Sequence, residues 1–367
     1  MAVILIAEDE YWQPGLDFAA AMRYRGHTSI RLTADSPEAA RRGGLRRWSS
    51  VATCTLNAAV TEEGLPSAVG LAEIDAVRPM DWQAAESVLN WLSRHGYEQR
   101  LSFERSTGLP PHDVQDKQAF TRFLEQQGLA VPLTWDSIEV IPDDVCGPFM
   151  FKLREQGGGI GIERCEDRAA LVACASMYEG QAYIVQRFHT ATPTVAAGIA
   201  KAGKPVQMMT YTSLLDPRRP FAMAYGLRVV ENAAVYRYAE DVLAVLGITG
   251  PFALDTVPGV NGDPLALDMN LRIWGSWTAC QAVGMDVLSS YEHAIGVGTH
   301  PGPLRLESEY APILRRPPLG VRSVSERTTW LAAESAEIRR RASWLGWRWA
   351  RCSLGDSGGW AIRGPSL

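Results

Sequence analysis

Apolar positions come in two rhythms along this chain. Val3-Ile4-Leu5-Ile6-Ala7 is a continuous run that reads as a buried strand, and the spacing after it predicts a helix from about Gly15 to Tyr24, stopped at Gly26. Ile74-Asp75-Ala76-Val77 reads as another short strand and Ala84 to Ser93 as a helix, so the first hundred residues form an α/β unit. Beyond Pro110-Pro111 a helix is predicted from Asp113 to Gln127, with Phe120, Phe123 and Leu124 on one face and Gly128 as its stop; Val131-Pro132 restarts extended chain. The pattern continues as a strand at Phe149 to Leu153, a turn at Gly157 to Gly159 and a strand at Ile160 to Glu163. A helix at Arg168 to Met177 and a strand at Ala182 to Phe188 follow. Alternation from Thr194 to Arg228 predicts antiparallel sheet, followed by a helix from Ala233 to Leu246. Past Tyr310 the chain is rich in Arg, Pro and Trp, and only an appended helix near Glu326 to Leu345 is legible.

The segment from Phe252 to Arg272 carries the chemistry. Two apolar runs flank Asn261-Gly262, the pattern of a β-hairpin. A turn centred between Asn261 and Gly262, or a longer even-length loop on that centre, sets Asp255 directly opposite Asp268. Side chains alternate along a strand, so Asn270 and Arg272 share their face. Facing like charges destabilise a hairpin by roughly 0.2–1 kcal/mol, which calls for a cation nearby. Two readings fit: an ordinary surface hairpin with solvated acids, or a site where two carboxylates and an amide oxygen hold Mg²⁺ beside nucleotide phosphates. The acids interrupt apolar strands and are followed by Trp274-Gly275-Ser276-Trp277, which weighs against a solvated face. Arg272 is then placed to hold a transferring phosphoryl group or a carboxylate.

Composition narrows the classes. At 367 residues and 46% hydrophobic, the chain is long enough for two or three packed subdomains. A net charge of -5 argues against nucleic acid as the main partner, and the basic stretch Arg41 to Arg47 reads as a solvated loop or helix end. The six cysteines show neither CxxC pairing nor histidine at zinc spacing, as expected of reduced thiols in the cytoplasm. No run reaches the apolar length of a membrane span, and the N-terminal run is too short and wrongly flanked for a signal peptide. Glu8-Asp9-Glu10 stands where a dinucleotide fold would place glycines, so the first unit is no such site.

Upstream residues supply a nucleotide's other contacts. Lys152 closes an apolar strand just before Gly157-Gly158-Gly159-Ile160-Gly161, whose backbone N–H groups can close over phosphates; the bland alternative is a loose hairpin. Lys117 sits in the first turn of its helix, where the macrodipole disfavours a cation; Asp116 capping the helix or a phosphate partner accounts for that.

In this order the pieces resemble the ATP-grasp superfamily, over roughly residues 1 to 300. The motifs are Asp116-Lys117 opening a helix, Gly128 and Pro132 after it, Lys152 before the glycine loop, Ile184-Val185-Gln186 on an interdomain strand, Asp255, and Asp268 to Arg272 followed by Gly275-Ser276. The resemblance implies an α/β (α+β) chain. A pre-ATP-grasp α/β domain would span 1–105, a central and glycine-loop lid subdomain 106–185, an antiparallel-sheet C-terminal catalytic subdomain 186–305 and an extension 306–367. It implies that Lys117, Lys152, Gly158, Gly159, Val185 and Gln186 bind ATP and that Asp255, Asp268 and Asn270 hold Mg²⁺, with Mn²⁺ as an alternative. Lys152 and Arg272 would act on the phosphoryl group. The implied activity is an ADP-forming ligase joining a small-molecule carboxylate to an amine, with a kinase-like phosphoryl transferase or a nucleotide-binding protein without turnover as alternatives, in a protein compatible with a homodimer. Leu153 stands where proline often follows the lid lysine, and Pro193 near the usual ribose-binding acid. Of the rest, His189 reads as a partly buried histidine ahead of a polar pocket lining, Arg228 as a surface or carboxylate-binding arginine, and Trp274 and Trp277 as packing ahead of a substrate-pocket wall.

Overall fold

The computed structural model describes residues 3–8, 13–33, 52–55, 76–79, 108–214, 221, 224 and 226–312. These fall into two compact units, one within 3–79 and one within 108–312. The predicted helices at 84–93 and 326–345 and the stretch 41–47 lie outside the described residues.

In the first unit the apolar run at the N-terminus becomes β1 (Val3–Glu8), paired in parallel with β2 (Thr28–Thr33) and β4 (Ala76–Pro79), while β3 (Ala52–Thr55) continues the sheet beyond β2. A strand flanked by parallel neighbours is usually covered on both faces, which is why β1 lacks alternation. Helix α1 (Gln13–Tyr24) buries Phe18, Ala19 and Met22 and ends at Gly26, whose φ of 89° is cheap only for glycine.

The second unit begins with a correction. The predicted helix Asp113 to Gln127 is two helices, α2 (Pro111–Gln115) and α3 (Lys117–Gln126). Asp116 breaks them: its backbone is extended and its carboxylate accepts from the N–H groups of Gln118 and Ala119 as the cap of α3. A four-stranded antiparallel sheet follows in the order β5-β8-β6-β7, from β5 (Thr134–Trp135), β6 (Phe149–Leu153), β7 (Ile162–Cys165) and β8 (Tyr183–Arg187). Strand β7 starts two residues later than predicted, because the turn after Gly157 runs through Gly161 at φ 66°. Helix α4 (Arg168–Met177) covers one face, where Phe149, Phe151, Leu153, Leu171, Cys165, Cys174 and Val185 form a core.

The larger sheet runs β13-β12-β9-β10-β11-β14 and is antiparallel throughout. Its strands are β9 (Thr194–Lys201), β10 (Lys204–Leu214), β11 (Gly226–Val229), β12 (Gly250–Pro258), β13 (Pro264–Asn270) and β14 (Tyr310–Pro312). Helix α5 (Ala233–Leu246) lays Val235, Tyr238, Ala239, Val242, Leu243 and Leu246 on it, the 3.6-residue stripe of a buried face. Phe120 and Leu124 of α3 join the same core beside Phe252, Leu254 and Met269. Two short helices, α6 (Trp277–Ala282) and α7 (Val287–Ala294), carry the buried Trp277 and Tyr291. Among the described residues no helix is long and apolar enough to cross a membrane.

Helix α5 is bounded by Asn232, which caps the N–H of Val235, and by Gly247 in the left-handed region. Asn232→Ala is expected to cost about 1 kcal/mol of stability and Asn232→Asp only a few tenths, read as shifts in the urea midpoint.

Candidate functional site

The hairpin forms with Asp255 opposite Asp268, as the sequence predicts, but by a different route. Pro258 pairs with Pro264 around a five-residue loop, Val257 with Leu265 and Thr256 with Ala266; the register then shifts before Asp255 pairs with Asp268 and Ala253 with Asn270. Leu267 is the extra residue, a β-bulge that offsets the odd-length loop. Its carbonyl accepts from Nζ of Lys152 at 3.4 Å, so the irregularity is where β6 meets the hairpin.

Alternation along β6 and β8 decides what else faces this point. Met150 pairs with Gln186 and Lys152 with Ile184, so these four share the sheet face opposite the core containing Val185. Lys152 and Gln186 are nearly fully buried there. The Gln186 amide nitrogen donates to Oγ1 of Thr134 at 3.0 Å, whereas its Oε1 is buried with no hydrogen-bond partner. An orphaned buried acceptor is costly, and an amino group of a bound ligand would satisfy it. Val185 turns its side chain away, leaving only its backbone on the strand to serve a ligand.

Lys117 arrives from the other side. Helices α2 and α3 pack on β13, with the Gln115 side-chain amide donating to the Met269 carbonyl at 2.9 Å. Nζ of Lys117, also buried, donates to the carbonyls of Gln156 at 2.6 Å and Arg154 at 3.3 Å at the root of the glycine loop. The loop is open to solvent, with Gly158 and Gly159 at φ 65° and 83°. A Cβ built on Gly157 would lie 3.8 Å from Nη2 of Arg272, so loop and arginine are neighbours.

Electrostatics ties these groups into one cluster. Burial and the facing Asp268 push the Asp255 carboxyl from 3.8 up to about 7, against the pull of Lys152, Arg272 and Lys117. Burial lowers the Lys152 ammonium to about 8, with repulsion from Lys117 added and attraction from Asp268 and Asp255 opposing. Asp255, Asp268 and Asn270 are all half-buried, and Asp268 accepts from the N–H of Met269 at 3.0 Å. No group of three His, Cys, Asp or Glu side chains gathers among the described residues, so a cation here would have two carboxylates and an amide. That set leaves coordination positions for non-protein oxygens, which fits Mg²⁺ on a nucleotide.

Three features of the cluster are not legible in the sequence. Asp255, Val195, Tyr211 and Val229 line up across four strands, and Oη of Tyr211 lies 2.8 Å from Oγ of Ser276, at the N-terminus of α6, which does not cap its helix. Burial raises the Tyr211 phenol well above its ordinary value, with Cys280 and Asp255 adding to it. Arg154 pairs with Asp116 in a two-pronged contact. The bulged Leu267 carbonyl is the third. Arg228, by contrast, lies next to Val229 on the strand and so faces away from Asp255; its Nε is buried without a partner. Half-buried His189 has its pKa lowered by burial and by Arg187. Trp274 and Trp277 are buried, as packing requires.

No protein-family model matches the chain, and no curated protein matches it. Solved structures do. N5-carboxyaminoimidazole synthetase from Staphylococcus aureus complexed with ADP is similar with a TM-score of 0.61 and 14% identity, over 83% of this chain and 80% of that one. A biotin carboxylase from Campylobacter jejuni in an ATP complex gives 0.60 and 16%, over 84% and 74%. The L-amino acid ligase from Bacillus licheniformis gives 0.58 and 15%, over 81% and 74%. The fold of this chain is the ATP-grasp fold.

A carboxyl whose pKa is higher in the folded than in the unfolded chain binds more protons when folded, so it favours folding at low pH and that contribution is lost between about pH 4 and 7. Asp255→Asn removes this dependence. In EDTA, the variant's urea midpoint is expected to gain on wild type between pH 5 and pH 8; parallel profiles would contradict the raised carboxyl.

Proposed function

We propose that this chain is an ATP-dependent, ADP-forming ligase that joins a small-molecule carboxylate to an amine. The observation that carries the reading is the convergence of Lys117, Lys152, Asp255, Asp268 and Arg272 on one spot between the glycine loop and the hairpin. Adenine-nucleotide complexes among the similar structures support it.

ATP would lie with its adenine on the β8 side, where the unpartnered Oε1 of Gln186 can accept from the exocyclic amino group and the Val185 backbone lies alongside. Its phosphates would draw Lys117 and Lys152 from the backbone carbonyls that now hold them, an exchange of neutral acceptors for charged ones. Gly158 and Gly159 sit in conformations that turn backbone N–H groups freely, and closure of this loop would keep water from a hydrolysable intermediate. Asp255, Asp268 and Asn270 would hold Mg²⁺ or Mn²⁺, which would supply neutralisation of the phosphate charge.

In the first step a substrate carboxylate oxygen attacks the γ-phosphorus and ADP leaves, giving an acyl phosphate. In the second a neutral amine attacks the acyl carbon, the carbon–oxygen bond breaks, and phosphate departs with the proton the nitrogen gives up. Arg272, beside Gly157, would hold the carboxylate and then the phosphoryl oxygens. Phosphoryl transfer needs little beyond such positioning and charge neutralisation.

An ADP-release screen of paired acids and amines tests the reading, with hydroxylamine as trap. Hydroxamate formed with ADP is the expected result; phosphoryl transfer to a hydroxyl acceptor, releasing ADP without hydroxamate, would replace the ligase by a kinase. Asp268→Asn is expected to lower metal-dependent turnover by about a hundredfold or more with an unchanged circular-dichroism spectrum. Undiminished release from that variant would remove the metal assignment.

A further inference from the structure

Asp116 and Arg154 flank the two lysines in sequence, one just before Lys117 and the other two residues after Lys152. The fold closes them into a ring. The Asp116 carboxylate caps α3 through Gln118 and Ala119 at 2.9 and 3.4 Å, and receives Nε of Arg154 on Oδ1 at 2.9 Å and Nη2 on Oδ2. The main chain of Arg154 completes it: its carbonyl accepts from both the backbone N–H and the Nζ of Lys117, at 3.2 and 3.3 Å. The Arg154 N–H donates to the Ala182 carbonyl at 3.0 Å, which anchors the residue to the chain entering β8.

We infer that Arg154 is a positioning residue: its guanidinium, forked onto the Asp116 carboxylate, fixes the N-terminus of α3 against the root of the glycine loop so that Lys117 and Lys152 address the same phosphates. The inference rests on the nucleotide part of the ligase reading. Two ammonium groups close enough to repel one another, one of them at the positive end of a helix, have no reason to stay inward by themselves. Backbone carbonyls alone hold their Nζ atoms among the described contacts. Placement therefore falls to the frame, and this pair is an ion pair between side chains that joins its two parts. The planar fork matters as well as the charge, because contact with both carboxylate oxygens sets direction as well as distance. Although burial disfavours its charge, Asp116 is held below its ordinary value by Arg154 and by the capped N–H groups, as such a frame needs.

Binding of ATP and of AMP, each with Mg²⁺, separates positioning from general stability, since only ATP presents the β- and γ-phosphates. Arg154→Met is expected to bind ATP about tenfold or more weakly than wild type while AMP stays within about twofold, and Arg154→Lys to follow it because a point charge lacks the fork. Asp116→Asn keeps a good helix cap and removes the ion pair, so it reads the same effect should Arg154→Met fold poorly. Unchanged ATP binding, or equal loss of ATP and AMP in the folded variants, overturns the role of Arg154 and leaves the nucleotide site standing. Wild-type protein that binds neither nucleotide overturns both.

Discussion

Two carboxylates face each other across a hairpin inside the body of this protein, and that confrontation dictates what surrounds it. Asp255 and Asp268 are directly paired, half-buried, and short of the solvent that would screen them. The charge has to be met by something, and the chain meets it with cations brought from far away in sequence: Lys117 at the start of α3, Lys152 near the end of β6 and Arg272 just past β13. None of these cancels the pair outright, since the Asp255 carboxyl stays well above its ordinary range while Lys152 is driven down. In the proposed ligase a divalent cation and a polyphosphate would each relieve the charge the other leaves unbalanced in such a site.

The same tension explains the frame. Lysines near acids tend to collapse into simple ion pairs, yet here both ammonium groups rest on backbone carbonyls. Dipoles hold a cation in place without neutralising it, so the positive charge remains available to an incoming anion. A strong side-chain ion pair nearby, Asp116 with Arg154, binds scaffold to scaffold.

Much of this was legible in the residues, and what was not has definable causes. Long periodic segments such as α4 and α5 carried their own bounds, with Asp167 and Asn232 as caps. The break at Asp116 was hidden because apolar spacing continues through it and only the cap geometry interrupts the helix. Ile160 has the character of a strand former, and only the positive φ of Gly161 delays the start of β7. An even turn on Asn261-Gly262 faces Asp255 with Asp268, whereas the protein uses an odd loop and a bulge that together give the same pairing. Contacts such as Arg154 with Asp116 or Tyr211 with Ser276 leave no trace in local pattern, because they join elements 38 and 65 residues apart.

The bulge at Leu267 also separates two kinds of freedom. Everything on the turn side of it, from Thr256 through the exposed loop to Ala266, runs in one register, and everything on the acid side runs in another. A hairpin without such a joint transmits any one-residue change in its loop straight to the far end, swinging each side chain to the wrong face. Here a compensating gain or loss at a single position restores the facing acids. The loop at 259–263 is therefore a place where length can drift over generations, or be rebuilt by design, while the acid-bearing end of the hairpin stays put.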